Sequence, residues 1–404
     1  MYTNRPTLPT HRTSRTSPRK GSILILIAVP IVALLCVLWS RSGVTETSRT
    51  SSVVSDLYIS DTGGPHANQQ PSTPSVNINS VESLPNIVFM MADDLGFGDV
   101  GYNSGTAKTP NLDRMAAGSN TMHLKRYYSA SPVCSPTRGS VLTGRNPNRY
   151  CIWTANVGMS HADFEIPLTM PLPTSEVTVA SILKESGYHT AIFGKWHIGD
   201  LKKLSGGSKK WPVSHPGMHG FDRWLVTERS APTTTINCGC FPDKSKCING
   251  HYEQPPVCTN YYTSSKIEGE LEAEKEFIDG DDSNFIVDKF ESYLKEVLPT
   301  GKPFFVYLPF HTVHHRYVAA NGYREMYKGL GAGKVDYFGA ITAMDDAIGR
   351  VRALLREYNV SHNTMLWFTS DNGPETDTPG TYLTTVEFSI VNTLGSVLIR
   401  YDFI

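Results

Sequence analysis

The sequence predicts an α/β protein in which a mostly parallel central sheet is covered by helices on both faces. Three observations predict it. From Pro85 onward, short apolar runs alternate with amphipathic helical stretches. The longest stretch, "DYFGAITAMDDAIGRVRALLREY", lines up Ile341, Met344, Ile348, Val351 and Leu355 at helical spacing. Several apolar runs end in charged or polar pairs, as strands do when their carboxyl ends open onto a ligand site. Strands alternating with long helices imply βαβ crossovers and a parallel sheet buried on both faces.

The elements follow in order. Residues 1–21 form a basic cytoplasmic leader carrying Arg5, Arg12, Arg15, Arg19 and Lys20 and no acid. Residues 22–39, "SILILIAVPIVALLCVLW", run 18 residues without a charge, close to the ~20 that span a bilayer. Positive charge stays cytoplasmic, so this segment reads as a signal-anchor. The chain is then a single-pass type II membrane protein of the secretory pathway (Golgi, lysosome or cell surface), or is secreted if the segment is a long signal that is cleaved. Residues 40–84 are rich in Ser, Thr, Pro, Gly and Asn and form a flexible stem, too poor in apolar groups to offset chain entropy.

A folded domain is expected over 85–380. "NIVFMMADD" is a strand ending in Asp93-Asp94. "TPNLDRMAAG" is a short helix with Thr109 as N-cap and Pro110 in the first turn. "YYSASPVCSPTRGSVLTGR" is a turn-rich loop running into a helix. "SEVTVASILKESG" places Val179, Ile182 and Leu183 on one helical face. "HTAIFGKW" is a strand that delivers Lys195 and His197. "NFIVDKFESYLKEVL" is a helix facing inward with Ile286, Phe290, Tyr293, Leu294 and Val297. "PFFVYLPF" is a strand followed by His311 and His314. "TMLWFTSDNG" is a strand ending in Asp371-Asn372.

Formal net charge is −1, so no basic field draws nucleic acid, and none is expected as a partner. An oxidising compartment makes disulfides the default for cysteine. Cys238, Cys240, Cys247 and Cys258 crowd one stretch and predict two local bridges, in any of three pairings. Cys134 and Cys151 pair with each other or are both free. Asn359-Val360-Ser361 is a glycosylation sequon on a luminal loop. Three carboxylates and an amide carbonyl at one sheet edge repel one another unless a cation sits among them, and oxygen-only ligands suit Ca²⁺ or Mg²⁺.

Taken together, "NIVFMMADDLGFGDVG", "TPNLDRMA", "CSPTRGSVLTGR", "GYHTAIFGKWHIG", "HGFDRW", "PFFVYLPF" and "FTSDNGPE" resemble the sulfatase family, within the alkaline phosphatase superfamily. The resemblance covers about Pro85 to Pro379, and its C-x-P-x-R core is highly specific. It implies an alkaline-phosphatase-like fold and hydrolysis of sulfate monoesters, aryl or carbohydrate. It implies that Cys134 is oxidised to formylglycine by the formylglycine-generating enzyme, and that the aldehyde hydrate supplies the oxygen nucleophile. One Ca²⁺ would be held by Asp93, Asp94, Asp371 and Asn372, with residue 134 as a further ligand. Arg138 would hold the diol, Lys195 would contact the sulfate and the diol, and His197 would deprotonate the diol. His314 would protonate the leaving alcohol, with His311 and His315 as alternatives. Ser230 matches a further sulfate contact, and the cysteine-rich stretch 230–262 would wall the pocket of a sulfated small molecule or glycan.

The chain departs from the family after "DNGPE". No lysine follows Asn372, so one cation of the family's sulfate clamp is missing. Residues 381–404 form a non-family, apolar, β-rich tail, expected to aggregate or to patch an exposed sheet edge. The family's small C-terminal domain is expected to be absent. The alternative function is an inactive, truncated relative that at most binds calcium or sulfated ligands.

Overall fold

A computed structural model describes residues 84–155, 170–201, 213–228, 247–248, 251–252, 261–263, 272–273, 278, 280–315, 317–375 and 394–401. The leader, the 22–39 segment, most of the stem, Ser230 and much of 230–262 lie outside these residues. Among the described residues, no helix is long and apolar enough to cross a membrane. By contacts the chain divides into residues 1–61 and 62–404, and everything described below belongs to the second unit.

Among the described residues the main sheet has nine strands, which lie in the order β2 (Thr121–Tyr128), β11 (Leu394–Tyr401), β10 (Thr364–Ser370), β1 (Asn86–Ala92), β9 (Phe304–Pro309), β3 (His189–Lys195), β4 (Arg223–Thr227), β7 (Tyr262–Thr263) and β8 (Glu272–Ala273). Its centre is parallel: β1, β3, β4, β9 and β10. The flanks are antiparallel, with β2 and β11 on one side, β7 and β8 on the other. A separate two-stranded hairpin joins β5 (Cys247–Ile248) to β6 (His251–Tyr252).

Both faces of the central strands are buried, because successive side chains point to opposite sides. Along β9, Phe304, Val306 and Leu308 enter one apolar cluster, while Phe305 and Tyr307 enter the other. The first cluster is closed by α4 (Ser283–Val297) and α6 (Ala332–Glu357). Ile286, Phe290, Tyr293, Leu294 and Val297 are buried, as are Ile341, Met344, Ile348, Val351 and Leu355. The predicted stripes of both helices therefore face the core. Each such side chain contributes about 1.5–3 kcal/mol of burial. On the other face, α3 (Val179–Glu185) meets its prediction in part: Val179 and Leu183 pack against the core, whereas Ile182 is exposed and Ala180 takes the buried position. This helix is so short that its contact line is set by Thr178, whose hydroxyl caps Ser181 N and donates to His219 O.

One feature of the remaining elements differs from the sequence reading. Thr109 occupies the N-cap of α1 (Pro110–Ala116), yet its hydroxyl accepts from Gly101 N and donates to Asp113. The helix start is capped from outside by Asp345 of α6, which accepts from Asn111 N and Leu112 N at 2.9 and 2.8 Å. The tail takes the second of the two courses expected of it and patches a sheet edge. Residues 394–401 form β11, inserted between β10 and β2, so the tail pairs within the sheet. The remaining elements are α2 (Cys134–Thr143) and α5 (Asn321–Glu325).

Candidate active site

Strand register builds the site. β1 and β10 run parallel with Asn86 opposite Thr364 and Ala92 opposite Ser370, so both strands end level. The next residues of each, Asp93-Asp94 and Asp371-Asn372, emerge side by side, and Asp371 N donates to Ala92 O at 3.1 Å. β3 ends in Lys195 at the same edge. Gly194 is required just before it: at φ 132° its missing Cβ makes room for the carbonyl of Pro309.

Cys134 is the first residue of α2, with Val133 as N-cap. Arg138 lies four residues on, one turn away on the same face. The C-x-P-x-R spacing thus aims thiol and guanidinium together at the strand ends. Cys134 Sγ lies 3.3 Å from Asp93 Oδ1, 3.8 Å from Asp94 Oδ1 and 3.6 Å from Lys195 Nζ. Arg138 donates through Nε and Nη2 to Asp371 Oδ2 at 3.0 and 2.7 Å, and through Nη2 to Asp93 Oδ1 at 3.0 Å. Lys195 Nζ lies 2.5 Å from Asp93 Oδ2. The fork expected on a diol is therefore seated on two carboxylates.

These groups are buried, and their charges are interdependent. Burial opposes ionisation of Asp93, but Lys195 and Arg138 overcome it and hold the carboxyl well below its usual range. Asp94 is pushed well above it by burial and by Asp93 and Asp371. Asp371 is pushed up to about 6 by burial and Asp93, against Arg138 and Lys195. Burial and Asp93 raise the Cys134 thiol as well.

Asp93, Asp94, Cys134 and Asp371 each offer a ligand atom, all within 4.8 Å of one another. Asn372 Nδ2 donates to Asp94 Oδ1 and to Gly373 O, whereas its buried Oδ1 has no hydrogen-bond partner. Three crowded carboxylates beside an orphaned amide oxygen fit a hard divalent cation, which would both accept that lone pair and lower the two raised carboxyls.

His197 follows β3 in the left-handed region, with φ 55°; Asp94 shares that region at φ 58°. Both are uncommon for non-glycine residues, and such strain concentrates at functional sites. His197 N donates to Glu228 O at 2.9 Å, and its own carbonyl accepts from Ser135 Oγ at 2.5 Å. Its Nδ1 is buried without a partner. Burial, with Lys195 and Arg138 nearby, keeps this imidazole well below its usual pKa.

A cavity of about 430 Å³ opens over Cys134, lined also by Asp94, His314, His315, Asn372 and Glu375. His314 is held neutral, down to about 4, by burial and Lys195. His311 faces elsewhere: its Nε2 pairs with Thr227 Oγ1 at 2.6 Å, and its Nδ1 lies 2.8 Å from Asp282, which also accepts from Tyr261. Of the three histidines considered as leaving-group acid, only His314 and His315 line the cavity. Sequence reasoning missed Glu375 at this wall; one acid after "DNGP" carries no signal of its own. Cys134 is a free thiol and Cys151 is disulfide-bonded, so the expectation that the two share one state does not hold: Cys151 sits left-handed at the end of a 3-10 turn and pairs with a cysteine other than Cys134.

The Sulfatase family model matches residues 85–390. The chain is 32% identical over 299 residues to N-acetylgalactosamine-6-sulfatase of Homo sapiens, an alignment spanning 72% of this chain and 50% of that protein. It is 29% identical over 298 residues to human arylsulfatase A, spanning 74% and 54%. Among solved structures, Ps i-CgsB in complex with k-i-k-neocarrahexaose superposes with a TM-score of 0.61 at 23% identity, covering 79% of this chain and 66% of that one. PsFucS1 sulfatase from Pseudoalteromonas sp. gives 0.57 at 24%, covering 79% and 62%. At such identity these two likenesses carry the fold. The chain belongs to the sulfatase family, and spans about half the length of the curated relatives it matches.

Proposed function

We propose that this protein hydrolyses sulfate monoesters, on a carbohydrate or an aryl alcohol, using residue 134 as the nucleophile after its conversion to formylglycine. The observation that carries the reading is the placement of Cys134. It is a buried free thiol at a helix N-terminus, on the floor of a cavity, between two buried cations and the acids of two strand ends. The relatives named for galactosamine 6-sulfate and aryl sulfates support the substrate class.

Asp93, Asp94, Asp371 and Asn372 would hold one Ca²⁺, which supplies Lewis-acid stabilisation of charge on the sulfate oxygens. Conversion of Cys134 replaces a thiol that burial keeps protonated with an oxygen nucleophile. Lys195 and Arg138 place fixed positive charge beside that residue, where negative charge gathers as the ester bond breaks. The neutral imidazole of His197 is available to accept a proton from the nucleophile's side. His314, at the cavity wall, is neutral at rest, so it would protonate the departing alcohol only after its Nε2 has itself taken up a proton. We place the domain in the secretory pathway, anchored or released through residues 22–39.

The test is turnover of an aryl sulfate and of a 6-sulfated N-acetylgalactosamine by protein made in secretory cells. Cys134→Ala is expected to lower the rate at least roughly 10³-fold. Equal rates for the two proteins, or no turnover by the wild type, would reject the reading.

A further inference from the structure

The outer wall of the cavity carries a second group of ligand atoms. His314 Nε2 lies 3.7 Å from Asp94 Oδ2 and 3.7 Å from Glu375 Oε1, and the three side chains offer atoms all within 4.8 Å of one another. These separations are too long for hydrogen bonds. They are close to the ~3.3 Å between neighbouring ligands that tetrahedral bonds of about 2.0–2.1 Å impose. The ring of His314 is also oriented for the purpose: its Nδ1 lies 2.5 Å from the carbonyl oxygen of His315. Donation there leaves the lone pair on Nε2, directed at two carboxylates, which is the tautomer a metal-binding imidazole takes. Glu375 is flanked on its other oxygen by His315 Nδ1, at 3.7 Å from Oε2.

We propose that Asp94, His314 and Glu375 form a second cation site at the cavity mouth, selective for a borderline transition ion such as Zn²⁺. Imidazole with two carboxylates suits such an ion better than it suits Ca²⁺. Three protein ligands leave a fourth position for solvent. The inner and outer sites divide Asp94 between them. Its Oδ1 accepts from Asn372 and faces Cys134, while its Oδ2 faces His314. An ion bound outside occupies Nε2 of His314 and narrows access to Cys134, so zinc inhibits turnover. The inhibition rests on the proposed function; the binding does not.

The experiment uses the full, untagged chain with Ca²⁺ present, in a Cys134→Ala background that removes the thiol as a competing ligand. Zn²⁺ is titrated in competition with a chromophoric chelator. One tightly held zinc per chain is expected. Glu375→Gln should weaken it at least about tenfold, and His315→Ala by less. Glu375 is 42% exposed, so the glutamine is accommodated without loss of the fold. Glu176→Gln, at a carboxylate elsewhere that pairs with Arg145, should leave the affinity unchanged. Absence of a tight zinc, or equal affinities with and without Glu375, would overturn the proposal. Because metal binding is the readout, a chain that hydrolyses no sulfate ester would leave this test intact.

Discussion

Arg138 lies 1% exposed with its guanidinium between Asp371 and Asp93, both fully buried. Removing one partner of such a group strands the others, at a cost of about 3–5 kcal/mol. Arg138→Met in calcium-free protein should therefore lower the urea-unfolding free energy by that amount. A loss below about 1 kcal/mol would show that the pairing is not formed. Asp345 offers a pH test away from the site. Burial pushes its carboxyl up to about 6, from an ordinary 3.8, against the hydrogen bonds from Asn111 and Leu112. The folded chain then keeps a proton that the unfolded chain has released. Its stabilising contribution is complete below pH 3.8 and is lost as pH rises through 6. At 1.36 kcal/mol per pKa unit this amounts to about 3 kcal/mol at most. Thermal unfolding at pH 4 and pH 7 should show the wild type losing more stability over that interval than Asp345→Asn. Parallel losses would contradict the assignment.

At the scale of elements, β11 decides whether the sheet is closed on one side. Its antiparallel pairing satisfies the edges of β10 and β2 together, and unpaired edges template aggregation. Deletion of 394–401 should raise the aggregated fraction in sedimentation velocity above that of the parent chain. A deletion variant as soluble as the parent would contradict the placement. Helices α4 and α6 were legible because long stripes with one apolar face have one way to bury it. The short helix α3 was not: two turns fit more than one contact line, and a cap hydrogen bond chose the line that exposes Ile182. β2, "TMHLKRYY", gives no clean alternation, and its partner comes from the far end of the chain, so pairing alone defines it. The rule that ligand residues follow strand ends located Asp93, Asp94, Lys195, His197, Asp371 and Asn372 at one edge. Glu375 and the Tyr261–Asp282–His311–Thr227 network were out of reach, because each is assembled from segments with no local pattern.

At the scale of the whole molecule, the parallel sheet gathers acids about 280 positions apart and sets a helix N-terminus opposite them. The family relationship and the fold give this arrangement its meaning. Whether residue 134 acts as an oxygen nucleophile is decided by mass spectrometry of the tryptic peptide 127–138 from protein made in competent secretory cells. The expected peptide is one in which residue 134 has exchanged its sulfur and two hydrogens for one oxygen. A peptide carrying an intact cysteine at that position, in protein that still turns over an aryl sulfate, would contradict that role.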